Sequence, residues 1–471
     1  MKENTLNKYV ASTATHPTTN RTHSACKGAY TTIYSTKHIL SLLALCLLLT
    51  ACASGGMTSV GSTTPTTTVS TSPGTATPGT SLADACPAPL NAEPGCFTPH
   101  AMRVAYGVEP LIQKGFTGKG QTVIDIVSFG SPTLQTDVDT FSRQFGLPHV
   151  NVQVIAPLNV KEYDPNHDKS GWVGETTLDV EMIHAMAPDA QIVVLVSPVA
   201  ETEGTIGLPE FRQLTQYAVD HKLGTIVSQS WGASEATLRD QAGQQEVQKW
   251  DTLYQQATTQ QHFTFLAASG DHGVTDATDS AGKVYAKVPT SSFANDDPWV
   301  TSVGGTTLTR TGSGINERVW SGDGAGGGGY SAFFKTPDYQ KILPTSVQSQ
   351  LNNRRGIPDV SAAADPRTAL AYYVSDGWQL IGGTSASTPL WAGIIADGNQ
   401  MAGHPLGFIN PGLYKVAMSN NYNQDFNDVT VGDNSFNGVQ GYPAAPGWDA
   451  SSGLGSPNAE KLLPDLIAAL K

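Results

Sequence analysis

Short apolar runs alternate with longer amphipathic stretches from residue 122 to residue 303, and this rhythm limits the fold more than any other feature of the chain. Residues 122–128 (TVIDIVS), 150–155, 191–197, 225–229, 263–267 and 299–303 read as strands. Residues 137–145, 175–186, 211–221 and one long stretch over 236–260 read as helices. Strands joined by helices of that length predict an α/β fold with a mainly parallel central sheet and helices on both faces. Reactive groups in such sheets collect at the carboxyl ends of the strands. No internal repeat is visible. The Gly-rich run over 322–329 (GDGAGGGG) follows no strand that opens a helix, which argues against a phosphate loop.

The first hundred residues lie outside that rhythm. Residues 1–37 are rich in Thr, Ser and Asn, and Lys37-His38 leads into an apolar run over 39–49. That run is too short to span a bilayer as a helix but suits the apolar core of an export signal. Leu49-Thr50-Ala51-Cys52 is similar to a bacterial lipobox, which would make Cys52 the lipidated first residue of the mature protein. An ordinary signal with a chance cysteine is the alternative. The stretch before Lys37 is long for such a signal, which leaves a start codon further downstream open. Residues 1–52 are thus expected to be an export signal, and residues 53–96 a low-complexity tether of Ser, Thr, Gly, Pro and Ala.

Five cysteines fit this division. Cys26 and Cys46 would leave with the signal and Cys52 would carry lipid, so Cys86 and Cys96 are expected to close one short loop as a disulfide. None lies beyond residue 97, which excludes a cysteine nucleophile or cysteine zinc site there. With 27 Lys+Arg against 40 Asp+Glu, a net charge of −13 and no basic cluster, nucleic acid is not an expected partner.

Three separated segments carry the chemistry. Gly382-Gly383-Thr384-Ser385-Ala386-Ser387-Thr388-Pro389 runs into an apolar helix, which puts the Ser385 hydroxyl at a helix N-terminus among outward-pointing N–H groups. A plain Ser/Thr helix cap gives the same pattern. Glu175 and Asp179 are four apart, so a helix sets both carboxylates on one face, where two acids share a proton. A solvated helix face is the commoner reading of that spacing. Ala267-Ala268-Ser269-Gly270-Asp271-His272-Gly273 follows a strand, and Asp271 there suits an active-site crevice as well as a turn.

Taken in order, these three segments resemble the sedolisin family, the serine-carboxyl peptidases. Ser228-Gln229-Ser230-Trp231-Gly232, the run over 298–306 (PWVTSVGGT) and Arg355-Gly356-Ile357-Pro358-Asp359-Val360 extend the resemblance, as do Phe97-Thr98-Pro99 and Ala105-Tyr106-Gly107-Val108. It covers about residues 97–471, the expected catalytic domain. The resemblance implies a subtilisin-like fold in an exported, acid-active peptidase of protein or peptide substrates, more an endopeptidase than a tripeptidyl-peptidase. Ser385 would be the nucleophile, Glu175 its base, Asp179 the group that orients Glu175, and Asp271 the oxyanion donor, active only when protonated. Ser230, Trp231 and Gly232 would line the cleft and pair with extended substrate. One structural Ca²⁺ is implied, held by Asp428 and Asp449 with carbonyls of Val429, Gly447 and Ala445. The protein would be a monomer, secreted or held at the cell surface, and would touch membrane only through lipid at Cys52.

One departure stands out. Sedolisins carry a large folded prodomain, and only residues 53–96 stand in its place here, so the chain is expected to fold without one or to receive it from another chain. Two other readings compete: a catalytically silent relative that binds peptides, and a neutral Ser-His-Asp subtilase with His184 or His272 as base. Helical spacing turns His184 away from Asp179.

Overall fold

A computed structural model of the chain describes residues 85–159, 170–201, 203–279, 281–311 and 314–471. The expected export signal over 1–52 and residues 53–84 of the tether lie outside the described residues. Among the described residues no helix is long and apolar enough to cross a membrane.

Eight strands form the central sheet: β1 (Thr122–Ser128), β2 (Gln153–Ile155), β3 (Gln191–Ser197), β4 (Ile226–Gln229), β5 (Thr264–Ala268), β6 (Val300–Thr311), β7 (Gly314–Val319) and β8 (Val360–Ala363). Their order is β8-β6-β5-β4-β1-β3-β2, every neighbour parallel, with β7 folded back antiparallel on the far half of β6. Residues Val123 and Val127 of β1 join one apolar core, Ile124 and Ile126 the other, as the alternation of a strand requires. The first core is closed by helices α2 (Ser170–Met186) and α5 (Thr384–Ala402), through Met182, Ile183, Leu390 and Trp391. Helices α3 (Leu208–His221) and α4 (Gln241–Gln261) close the second, through Phe211, Leu214, Trp250 and Tyr254. Helix α1 (Leu134–Phe145) packs against α2. Helices therefore cover both faces of a subtilisin-like sheet.

Two elements depart from the sequence pattern. The single helix expected over 236–260 is a 3₁₀ turn, Glu235–Thr237, followed by α4 from Gln241. Side chains make the break, each capping a new start. Ser234 Oγ takes the Ala236 N–H, and Asp240 Oδ1 takes the Gly243 N–H at 2.7 Å. The strand expected over 299–303 runs on to Thr311 because β7 supplies a partner for its second half. At the start of the domain Cys86 and Cys96 are joined by a disulfide, and the Phe97 N–H bonds the Ala369 carbonyl at 2.8 Å.

Candidate active site

Strands β3 and β4 lie on opposite sides of β1, so the connection between them reverses direction across β1 and leaves a crevice beyond the carboxyl ends. Three chain segments meet there. Ser230-Trp231-Gly232 leaves β4, Ser269-Gly270-Asp271 leaves β5, and α5 begins at Thr384. Ser230, Trp231, Gly232, Gly270, Asp271 and Ser385 line one pocket of about 180 Å³.

Helix α2 packs against α5 and carries Glu175 and Asp179 one turn apart towards Ser385. Ser385 lies close enough to Glu175 to lower its pKa, and Glu175 Oε1 is buried without a hydrogen-bond partner. Behind Glu175, Asp179 is fully buried and its Oδ1 accepts from Ser230 Oγ at 2.8 Å. A third carboxyl completes the row: Asp125, in the middle of β1, fully buried and facing Asp179. Burial pushes all three far above the ordinary carboxylate range. The neighbouring carboxyls Asp125 and Glu175 push Asp179 further, while nearby Ser385 pulls Glu175 back. Three such groups in contact cannot all be ionised, so the row holds shared protons.

Asp271 sits at the N-terminus of α5. Its Oδ1 accepts from the Thr384 N–H at 2.7 Å and the Thr384 hydroxyl at 3.0 Å. It therefore caps the first turn of the helix that carries Ser385. Burial raises its pKa, and the two Thr384 bonds oppose the rise. Oδ2 lies beside Gly383, where a Cβ would stand 2.7 Å from it, and the φ of Gly383 is +109°. Both space and backbone thus favour glycine there. Pro389 has no N–H and leaves the Ser385 carbonyl without its helical partner. Ser230 Oγ lies 3.3 Å from that oxygen.

Glu175, Asp179, Asp271 and Ser385 are thus brought together from α2, the turn after β5 and the start of α5. Ser230, Trp231 and Gly232 line the cleft, as expected, and two of their side chains have further partners. The Ser230 hydroxyl serves Asp179, and the Trp231 ring turns inward onto Phe211 and Trp250, with centroids 5.0 and 5.4 Å away. His184 is buried, with Nε2 3.1 Å from both Ser142 Oγ and the Pro148 carbonyl; burial lowers its pKa to about 4. His272 is engaged with Tyr285. The missed member is Asp125, whose signal was an acid inside an otherwise apolar buried strand.

Asp428 and Asp449 meet at the loop over 445–449. Asp428 Oδ2 accepts from the Gly447 N–H at 3.0 Å, and Asp449 Oδ2 from the Ala445 N–H at 2.9 Å. Asp428 Oδ1 is buried without a hydrogen-bond partner, and the Val429 carbonyl lies beside Ser452. Two carboxylates, an orphaned buried oxygen and nearby carbonyls fit a hard cation. Among the described residues no group of three or more His, Cys, Asp or Glu is arranged for a metal, so carbonyls would have to complete any shell here.

The chain matches the Subtilase family over residues 165–433. Kumamolisin of Bacillus sp. (strain MN-32) is 33% identical over 387 residues, which is 80% of this chain and 65% of that protein. Sedolisin of Pseudomonas sp. (strain 101) is 32% identical over 353 residues, 72% of this chain and 57% of that protein. Tripeptidyl-peptidase 1 of Dictyostelium discoideum is 31% identical over 347 residues, 70% of this chain and 52% of that protein. The chain therefore spans roughly half to just under two thirds of the length of these relatives. Among solved structures, Pseudomonas sedolisin, a serine-carboxyl proteinase complexed with pseudo-iodotyrostatin, is similar with a TM-score of 0.64 at 29% identity, covering 79% of this chain and 95% of that one.

Proposed function

This chain belongs to the subtilase family and, within it, to the sedolisins; on that footing we propose that it is an exported serine-carboxyl endopeptidase working in acid. The observation that carries the proposal is the buried row of Glu175, Asp179 and Asp125 reaching Ser385, with Asp271 at the start of the helix that carries that serine.

In this reading the row of carboxyls carries one negative charge. Ser385 attacks the scissile carbonyl as its proton passes to Glu175, and Asp179 and Asp125 spread the charge behind Glu175. The developing oxyanion takes a hydrogen bond from protonated Asp271, whose Oδ1 is already held by Thr384. Glu175 then returns the proton to the leaving amine, and water repeats the cycle on the acyl-enzyme. Backbone at Ser230, Trp231 and Gly232 pairs with extended substrate. Asp428, Asp449 and the carbonyls of Val429 and Gly447 would hold a structural Ca²⁺, which stiffens the loop over 445–449.

Internal cleavage rather than removal of tripeptides is part of this reading. The protein would act as a monomer, secreted or tethered by lipid at Cys52. The test is digestion of denatured protein and of an N-acetylated peptide across acid to neutral pH. Cleavage of both in acid is expected, with none by Ser385→Ala. Activity in that variant, or activity confined to free N-termini, would overturn the respective part of the reading.

A further inference from the structure

The pocket beside Ser385 ends in an unusual set of acids. Glu203 and Asp276 line it together with His272. Glu203 Oε2 is fixed by the Ser234 N–H at 2.8 Å and the Thr237 hydroxyl at 3.1 Å, while no hydrogen bond engages Oε1 among the described residues. Asp276 Oδ2 takes the Ser292 hydroxyl; its Oδ1 takes the Ala277 N–H at 2.8 Å and stands 3.6 Å from His272 Nδ1. A third acid, Glu201, is buried behind them with Oε1 unpartnered, and it feels the charge of both Glu203 and Asp276. Asp276, Asp271 and Glu203 thus act on one imidazole, which is also held by the Tyr285 hydroxyl at 3.0 Å. Without a further cation, the surplus acids stay at low cost only by keeping protons. Burial and the Asp276 charge accordingly hold Glu203 up at about 7. Burial lowers the His272 pKa, but Asp276, Asp271 and Glu203 together outweigh it and leave the group raised.

Ser385 and Thr384 line the same pocket, so it adjoins the nucleophile and is placed to receive the side chain of the residue whose carbonyl would be attacked. We propose that it is built for a basic side chain, Arg or Lys, whose far end supplies the cation that Glu203 and Asp276 lack. This rests on the peptidase reading above and gives it a substrate class. The preference has a pH signature. In strong acid Glu203 is protonated and must give up that proton to pair with the incoming cation; towards neutrality the proton leaves more readily, so preference for the charge grows with pH.

The test uses the full chain and peptides blocked at both ends, identical except for Arg, citrulline or norleucine before the scissile bond. Citrulline is close to Arg in shape but neutral. The ratio of kcat/KM for Arg over citrulline should reach about tenfold or more near neutral pH and shrink in acid, since a charged hydrogen bond is at stake. In Glu203→Gln it should fall to about one, and Asp276→Asn should lower it. Reading the ratio within each enzyme cancels changes in overall turnover, and thermal melting checks that each variant is folded. A parental ratio within about twofold of one at every pH, or a ratio unmoved in Glu203→Gln, overturns the proposal. Cleavage of the norleucine peptide that needs Ser385 would then leave the peptidase reading standing. Should no peptide be cleaved, calorimetry on Ser385→Ala decides. Tighter binding of the Arg peptide supports the basic pocket even if the peptidase reading fails, and equal or absent binding overturns it.

Discussion

Asp271 has two oxygens with different surroundings, and its chemistry depends on that difference. Oδ1 receives both donors of Thr384, which leaves Oδ2, beside Gly383, as the oxygen able to carry a proton towards the cleft. Burial raises the Asp271 pKa, so the neutral donor form persists above the ordinary carboxylate range and is lost as pH rises through the raised value. Asn donates at every pH. Asp271→Asn is expected to keep part of the activity and to lose less of it towards neutrality than the parent. Asp271→Ala should lower kcat about a hundredfold or more, by analogy with the ~2.7–4 kcal/mol cost of an oxyanion donor. The pH dependence of kcat for the three forms checks this; an alkaline limb unchanged by Asn, or near-parental kcat with Ala, would reduce Asp271 to a helix cap.

The 3₁₀ turn Glu235–Thr237 shows how one short element can depend on a proton. Glu235 Oε1 and Asp296 Oδ2 both lie 2.6 Å from Ser331 Oγ, which also accepts the N–H groups of Phe333 and Phe334 at 3.0 Å. One hydroxyl has one proton and cannot donate to both carboxyls, so the contact needs a second proton on the pair. Burial first, then the Glu235 charge, raises Asp296 well above its ordinary range. Asp297 adds like charge from the next residue and is itself faced by Asp251, and the buried Arg355 guanidinium nearby is paired with Asp359. The sign follows from proton counting. Between the unfolded value of about 3.9 and the raised folded one, the folded state binds more protons, so stability falls as pH rises through that window. Asp296→Asn removes this share, and its melting temperature should decline less steeply than the parent's from acid to neutral pH. Parallel slopes would mean that Asp296 ionises without strain.

At the scale of the molecule, the C-terminal segment is tied back both by backbone bonds to the main sheet, such as the Ser361 N–H to the Gly455 carbonyl, and by side chains. Asp428 bonds the Gly447 N–H, Asp449 bonds Ala445, Ser451 and Ser452, and the Trp448 indole donates to the Pro358 carbonyl at 3.0 Å. A cation held by Asp428 and Asp449 would bind the folded state alone, since only folding brings the two carboxylates together. Free Ca²⁺ a hundredfold above its Kd then adds about 2.7 kcal/mol. A chelator should therefore lower the melting temperature of the parent. Asp428→Ala should melt near the chelated parent and ignore the chelator. Equal melting of the parent with and without chelator would remove calcium from the account.

The order of strands and helices was legible because burial on both faces of a parallel sheet writes itself as apolar runs at regular spacing, and TVIDIVS and QIVVLVS have the observed bounds. Ser385, Glu175, Asp179 and Asp271 each stand in a local pattern that singles them out, a small-residue loop before a helix, two acids one turn apart and an acid after a strand, but only the resemblance to the sedolisins assigned them roles. What the tertiary structure decided is everything that depends on neighbours distant in sequence. Asp125 was a lone acid until β1 set it opposite Asp179, and Ser230 read as cleft wall until its hydroxyl was found on Asp179. Trp231 lines the cleft as read, while its ring also packs into the core of α3 and α4. Local sequence determines which face a side chain takes along its own element. Which charges share a proton is fixed by desolvation and by contacts between distant parts of the chain, and no local pattern records those. Ser230 and Asp179, which share a hydrogen bond, stand 51 residues apart.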